Sequence, residues 1–215
     1  MMLRIADVEL EVDQAADVCR WYAREHPGTL KFYDFAGTDT DPHPHDGVDL
    51  ADAGRLVVIN ANLTADDVPR MISAATDAPW SVVRHDDDLL SDGWEELLSR
   101  AEELYWHFRQ ASLGPTRTHK LLHLKRPRVF PIVDSVVRKV YRDAARDAAG
   151  GRGFHYWPVV GREINANRKV YRELTGVLQG HRVGRLTVPR LHDILVWSLH
   201  GRRRGEARSV AGLHG

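Results

Sequence analysis

Cysteine is nearly absent from this sequence. Cys19 stands alone among 215 residues, which excludes an intramolecular disulfide framework and fits a reducing compartment, so the cytoplasm is the expected location. No apolar run approaches the roughly 20 residues of a membrane span, and no secretory signal is visible. Heptads and internal repeats are missing, which excludes coiled coils and solenoids. Glycine is not arranged as a nucleotide loop, because Gly150-Gly151-Arg152-Gly153 is too short and badly placed for a phosphate fingerprint. Metal motifs are lacking too. His119 and His123 have helical spacing, but Lys120, Leu121 and Leu122 lie between them without the Glu of HExxH. His43 and His45, with Asp39, Asp41 and Asp46, match no metal spacing and read as an exposed polar loop. His85-Asp86-Asp87-Asp88 reads as a solvated loop or cap. No cofactor and no metal is expected.

Net charge is also absent, with 30 Lys+Arg against 30 Asp+Glu. The zero hides a division. Residues 1–103 hold 8 Lys+Arg and 23 Asp+Glu, a balance of −15; residues 104–215 hold 22 and 7, a balance of +15. Such asymmetry points to an anionic partner for the basic half, nucleic acid first. The alternative is that the halves neutralise each other. Apolar content of 43% and charged content of 28% are those of a water-soluble globular chain.

Hydrophobic periodicity makes the chain mainly α. Residues 13–26 carry a helical stripe ended by His26-Pro27-Gly28. The alternation of Ile5, Val8, Leu10 and Val12 reads as a short strand or a helix start. Residues 48–62 lean to helix, and Thr64 is placed to cap a helix over Ala65–Ala75. Ser91–Ala111 shows a broad apolar face through Trp94, Leu97, Leu98, Ala101, Leu104, Tyr105 and Phe108. Residues 147–162 read as a Gly-rich aromatic loop in which Phe154, Tyr156 and Trp157 either stack on an extruded base or plug the core. A helix follows from Glu163 to Gln179, and a nearly all-apolar core helix opens at Thr187 or Val188-Pro189. The expected organisation is one globular domain, residues 1–200, with an acidic lobe (1–103), a basic lobe (104–200) and a basic flexible tail (201–215).

The stretch Leu113–Tyr141, LGPTRTHKLLHLKRPRVFPIVDSVVRKVY, concentrates the chemistry. Gly114-Pro115 is a turn that opens a helix, and Lys125-Arg126-Pro127 ends it. Asp134 precedes the stripe Val136, Val137, Val140, Tyr141 and Ala144, where a helix N-cap belongs. A glycine turn ahead of a helix exposes backbone N–H groups to phosphate. Arg117, Lys120, Lys125, Arg126 and Arg128 lie close by and suit a nucleic-acid backbone read without base preference.

On these residues the stretch resembles the helix-hairpin-helix DNA glycosylases: a glycine-rich hairpin, a short apolar helix, then an Asp at the start of a later helix. The run KLLHLKRPRVFPIVDS also resembles an uncharacterised bacterial domain family. The first resemblance implies a mainly α, orthogonal array of helices, DNA rather than RNA as partner, and Asp134 as the carboxylate that assists loss of a base; the N-terminal alternation leaves room for one or two short strands, and the lack of a long apolar run implies no membrane. Gly114 aligns with the hairpin's second glycine, and Thr116 takes the position where some members carry a Schiff-base Lys. The separation of Thr116 from Asp134, 18 residues, fits the family spacing. Ser112 replaces the first hairpin glycine. Thr116 cannot form a Schiff base, so the implied enzyme is monofunctional. Gly114, Thr116, Arg117, Lys120, Lys125, Arg126 and Arg128 would contact the nucleic acid, and Tyr156 and Trp157 would line a base pocket. Two other readings stay open: a nucleic-acid-binding module without catalysis, and a protein-interaction domain of a stress or defence system whose acidic lobe meets a basic partner. Asp134 as a helix cap and nothing more is the plainest reading of that residue.

Overall fold

The computed structural model of the chain describes residues 1–35, 46–150 and 156–213. They form a hairpin, β1 (Met2–Ile5) and β2 (Val8–Glu11), and then the helices α1 (Val12–Glu25), α2 (Pro27–Thr29), α3 (Leu50–Val58), α4 (Asp67–Thr76), α5 (Trp94–Gln110), α6 (Pro115–Lys125), α7 (Ser135–Val140), α8 (Arg142–Ala148), α9 (Tyr156–Ala166), α10 (Arg168–Val177), α11 (Val188–His200) and α12 (Arg204–Val210). A π-helical turn, Leu30–Asp34, continues α2. The architecture is mainly α with one short antiparallel hairpin. No helix of the described residues is long and apolar enough to cross a membrane.

The chain divides into two compact units, and the division is discontinuous. Unit 1 joins Met1–Pro27 to Val133–Gly215; unit 2 is Gly28–Ile132. The charge division by halves therefore does not survive folding. Unit 1 holds 19 Lys+Arg and 13 Asp+Glu, a balance of +6, and unit 2 holds 11 and 17, a balance of −6. The acidic first 27 residues pack with basic segments from the end of the chain, while the basic residues 117–128 pack with acidic segments.

In unit 1 the hairpin alternates buried Leu3, Ile5, Val8 and Leu10 with exposed neighbours, so it covers the core with one face. Ala6 turns the chain at φ 53°. α1 opens with a capping box in which Gln14 accepts from the Glu11 N–H. It packs against α10, α11 and α12. α11 follows Thr187 with Pro189 in its first turn, where no intrahelical N–H is needed. Its Leu191, Ile194, Leu195, Val196 and Leu199 are all fully buried, as a helix apolar on every side requires. The loop expected over residues 147–162 gives way to helix from Tyr156, and residues 151–155 lie outside the described residues. Pro158 sits in the first turn of α9, where proline is tolerated, and the helix runs through Ala166. The tail also departs from expectation: α12 forms, Ala207 is fully buried, and Arg203 pairs with Glu25 at 2.9 Å.

In unit 2 α5 is the long element, and its Leu97, Leu98, Ala101, Leu104 and Phe108 are buried. α6 packs on α5 and on α3. At α4 the cap differs from the expected one. Thr64 donates rather than accepts: its N–H and its hydroxyl both give hydrogen bonds, 2.6 Å each, to Asp67 Oδ2. Burial works against the Asp67 charge, but these bonds, with Arg117 nearby, hold its pKa below the ordinary value.

Candidate functional site

The hairpin residues lie in unit 2. Gly114 adopts φ −61°, ψ 151°, a conformation open to any residue, and a Cβ there would meet nothing within 4 Å. The left-handed residue of the turn is Ser112, at φ 64°. Ser112 thus holds a conformation that glycine adopts freely, at a strain of roughly 1–2 kcal/mol for a non-glycine residue. Pro115 occupies the first turn of α6, and both the N–H and the hydroxyl of Thr118 donate to Gly114 O. Thr116 is half-buried.

The cations of α6 are placed differently from expectation. Lys120, Lys125 and Arg126 are buried, at 6%, 3% and 2% exposure. Lys120 Nζ donates to Ile59 O at 2.5 Å and Asn60 O at 3.0 Å. Arg117 donates to Asn62 O at 2.6 Å and pairs with Asp67 at 3.2 Å. Both therefore end on carbonyls just past α3, where its dipole is negative. Lys125 pairs with Asp52 at 2.5 Å, and both side chains are excluded from water. Arg126 donates to Val83 O at 2.6 Å, pairs with Asp46 and lies 5.1 Å from the Trp80 ring centroid. Of the cations named from the sequence, Arg128 is exposed, 3.9 Å from Asp88. The physical reason is stoichiometric: unit 2 is acidic and rich in loop carbonyls, and the nearest cations in sequence satisfy them. His123 Nδ1 bonds Phe130 O at 2.7 Å and His119 packs on Tyr105, so this His pair is engaged within unit 2. His43, His45, Asp39, Asp41 and Phe154 lie outside the described residues.

Asp134 belongs to unit 1 and is half-buried. Its Oδ1 accepts from the N–H groups of Val136 (2.8 Å) and Val137 (3.0 Å), so it is an N-cap of α7. Its Oδ2 enters none of the hydrogen bonds among the described residues. α7 and α8 are almost one helix, since Tyr141 N bonds Val137 O and Ala145 N bonds Tyr141 O, both at 2.9 Å. Tyr156 is half-buried, with the Arg138 guanidinium 5.7 Å from its ring centroid. Trp157 is 4% exposed and is part of the interior, not an open platform.

A second cluster was not read from the sequence. Tyr141, buried beneath α7–α8, donates to Glu163 Oε1 of α9 at 2.5 Å. Its oxygen lies 3.1 Å from His192 Nε2, and Tyr171 OH lies 2.7 Å from His192 Nδ1. The Tyr141 proton goes to the carboxylate, the stronger acceptor, so Nε2–H must donate to Tyr141 and Nδ1 must accept from Tyr171. One neutral tautomer satisfies the whole chain. The strained Ala6 adds its N–H to Glu163 Oε1 at 3.1 Å. Burial drives the His192 pKa down to about 3 and raises Glu163 and both tyrosines. The four side chains come from four helical segments spread over residues 141 to 192, so no local motif announced them; helical spacing hinted only that Tyr141 and His192 face inward.

A family model matches residues 16–200, spanning both units. The chain belongs to DUF6308, a family of unknown function. The match covers α6, Asp134 and the Tyr141, Glu163, Tyr171 and His192 side chains, while Ala6 lies before it. No curated protein and no solved structure matches the chain.

Proposed function

We propose that this protein binds DNA and is built like a helix-hairpin-helix glycosylase, with Asp134 the carboxylate that serves base removal. The observation that carries the reading is the Asp134 carboxyl: Oδ1 alone holds the helix N-terminus, which leaves Oδ2 for a reacting sugar. The left-handed Ser112, standing where that family carries glycine, and the open backbone around Gly114 support it. In this reading a nucleotide is turned out of the duplex, and the C1′–N bond breaks as positive charge builds on the sugar. Asp134 stabilises that charge and orients the water that adds at C1′, an electrostatic effect on a developing cation. The displaced base leaves with a proton. Thr116 offers no amine, so the abasic strand stays intact.

The test is release of free base, read by mass spectrometry, from duplexes carrying a panel of damaged bases. Wild type is expected to release base from at least one duplex. Asp134→Asn, which keeps a good cap, should bind as before and release at least about 10²-fold more slowly, the scale of losing one preorganised group. No release from any duplex by the wild type overturns catalysis. A second reading, binding without chemistry, is favoured by the capping role that Asp134 already fills at α7. Salt-dependent DNA binding without base release would select it.

A further inference from the structure

We propose that the exposed stripe Arg138, Lys139 and Arg142 on α7–α8 is the surface on which the phosphodiester backbone of the nucleic acid docks. The inference rests on the nucleic-acid reading above and deepens it by moving the phosphate contacts off α6. All three side chains are exposed, and none is ion-paired with a carboxylate among the described residues. At about 100° per residue they occupy one sector roughly 100° wide, and Ser135, also exposed, continues it towards Asp134. The neighbouring sector is acidic, with Asp143 and Asp147, and these two take Arg146 at 3.1 and 3.9 Å. That leaves Arg146 out of the stripe and gives it an acidic border, which orients a polyanion along the helix rather than across it.

The face behind the stripe is fixed. Val137 and Tyr141 are buried at 1% and 3%, and Tyr141 is bonded to Glu163 and His192. Arg138 is held over Tyr156. The stripe is thus displayed by a clamped helix, so little ordering entropy is lost on docking. Charge complementarity selects the occupant: three unpaired cations along one stripe match a chain of regularly spaced phosphates.

The test measures binding of the full-length protein to a fluorescein-labelled 20-base-pair duplex across a KCl series. The Arg138→Gln/Lys139→Gln/Arg142→Gln variant is compared with Lys169→Gln/Arg172→Gln, exposed cations on α10. Thermal melts establish that each variant is folded; substitutions at these exposed positions are expected to leave them unchanged. Wild-type affinity should fall with salt, and the triple variant's log–log slope should be shallower by about 2.7, three phosphates at about 0.9 each. The α10 variant should keep the wild-type slope. A wild type that binds with a steep slope, matched by the triple variant, overturns the stripe while leaving nucleic-acid binding intact. A wild type that binds no duplex even at low salt overturns the nucleic-acid reading and the stripe with it. Loss of binding to phosphatidylserine vesicles with an unchanged DNA slope overturns the proposal in favour of a membrane surface.

Discussion

In unit 2 the cations Lys120, Lys125 and Arg126 end on carbonyl and carboxylate oxygens of the same unit; in unit 1 Arg138, Lys139 and Arg142 are exposed, with Arg138 lying over the Tyr156 ring and none of the three paired with a carboxylate among the described residues. Both sets follow one another within a few residues of helix, and both look alike as strings of letters. What differs is the face on which they fall. Lys120 and Lys125 share α6 with fully buried Leu121 and Leu122, so their stems are drawn inward and their charges must find partners there. Arg138, Lys139 and Arg142 fall outside the sector of Val137, Tyr141 and Ala145, the buried positions of their helix. A basic run therefore says little about an anionic ligand until its helical face is known.

Breaking the unit 2 arrangement should have the largest effect. Lys125→Met strands Asp52 inside the unit and is expected to cost about 3–5 kcal/mol in urea unfolding. The pair Asp52→Leu/Lys125→Met should recover most of that loss; if the single variant is as stable as wild type, the pair is not the internal anchor described here. The unit 1 network should show in pH dependence. His192 is held neutral with its pKa depressed from 6.5 to about 3, so the unfolded chain takes up a proton that the folded chain refuses. Its contribution is complete above pH 6.5 and is lost as pH falls, at about 1.4 kcal/mol per pH unit. Glu163, whose pKa is raised above 4.5, acts in the opposite sense from 4.5 up to its folded value, so Glu163→Gln should steepen the acid limb. Denaturant titrations at pH 7.5, 6.5, 5.5 and 4.5 read both, and a flat profile in wild type would contradict the buried neutral imidazole.

Smaller effects sharpen the contrast. Asp134→Ala should lose about 1 kcal/mol through the missing cap, whereas Asp134→Asn should lose only a few tenths. Equal stability of the Ala variant and wild type would show that the cap contributes nothing. Ser112→Gly should stabilise unit 2 by somewhat under about 1 kcal/mol, because glycine accepts φ 64° without strain. A destabilised variant would mean that the Ser side chain holds the turn. Arg128→Ala, at an exposed pair 3.9 Å apart, should change stability by less than about 0.5 kcal/mol, and a larger loss would point to a contact beyond Asp88.

Much of the helix content was legible because it is local. The α5 face, Pro115 opening α6, Asp134 capping α7 and the all-apolar α11 each follow from spacing and caps within one or two turns. The hairpin was only half legible, since four-residue strands show little alternation. α9 was hidden by Gly-rich residues before it and by Pro158, which the first turn of a helix accepts. The tail read as frayed because its arginines dominate the composition, yet Ala207 and Ala211 give α12 a buried edge.

What the sequence by itself determined is the α-rich architecture, the turn at Gly114-Pro115, and the cap at Asp134, because backbone hydrogen bonding and apolar periodicity act over a few residues. The tertiary structure decided which cations are neutralised and which face water. It also brought Tyr141, Glu163, Tyr171 and His192 together, because burial and pairing depend on segments far apart in the chain. The return of the N-terminal 27 residues to the C-terminal half belongs to the same class: it turns a charge division of 15 by halves into one of 6 by units. Its physical reason is that long-range packing brings opposite charges together wherever desolvation would otherwise leave them unpaired.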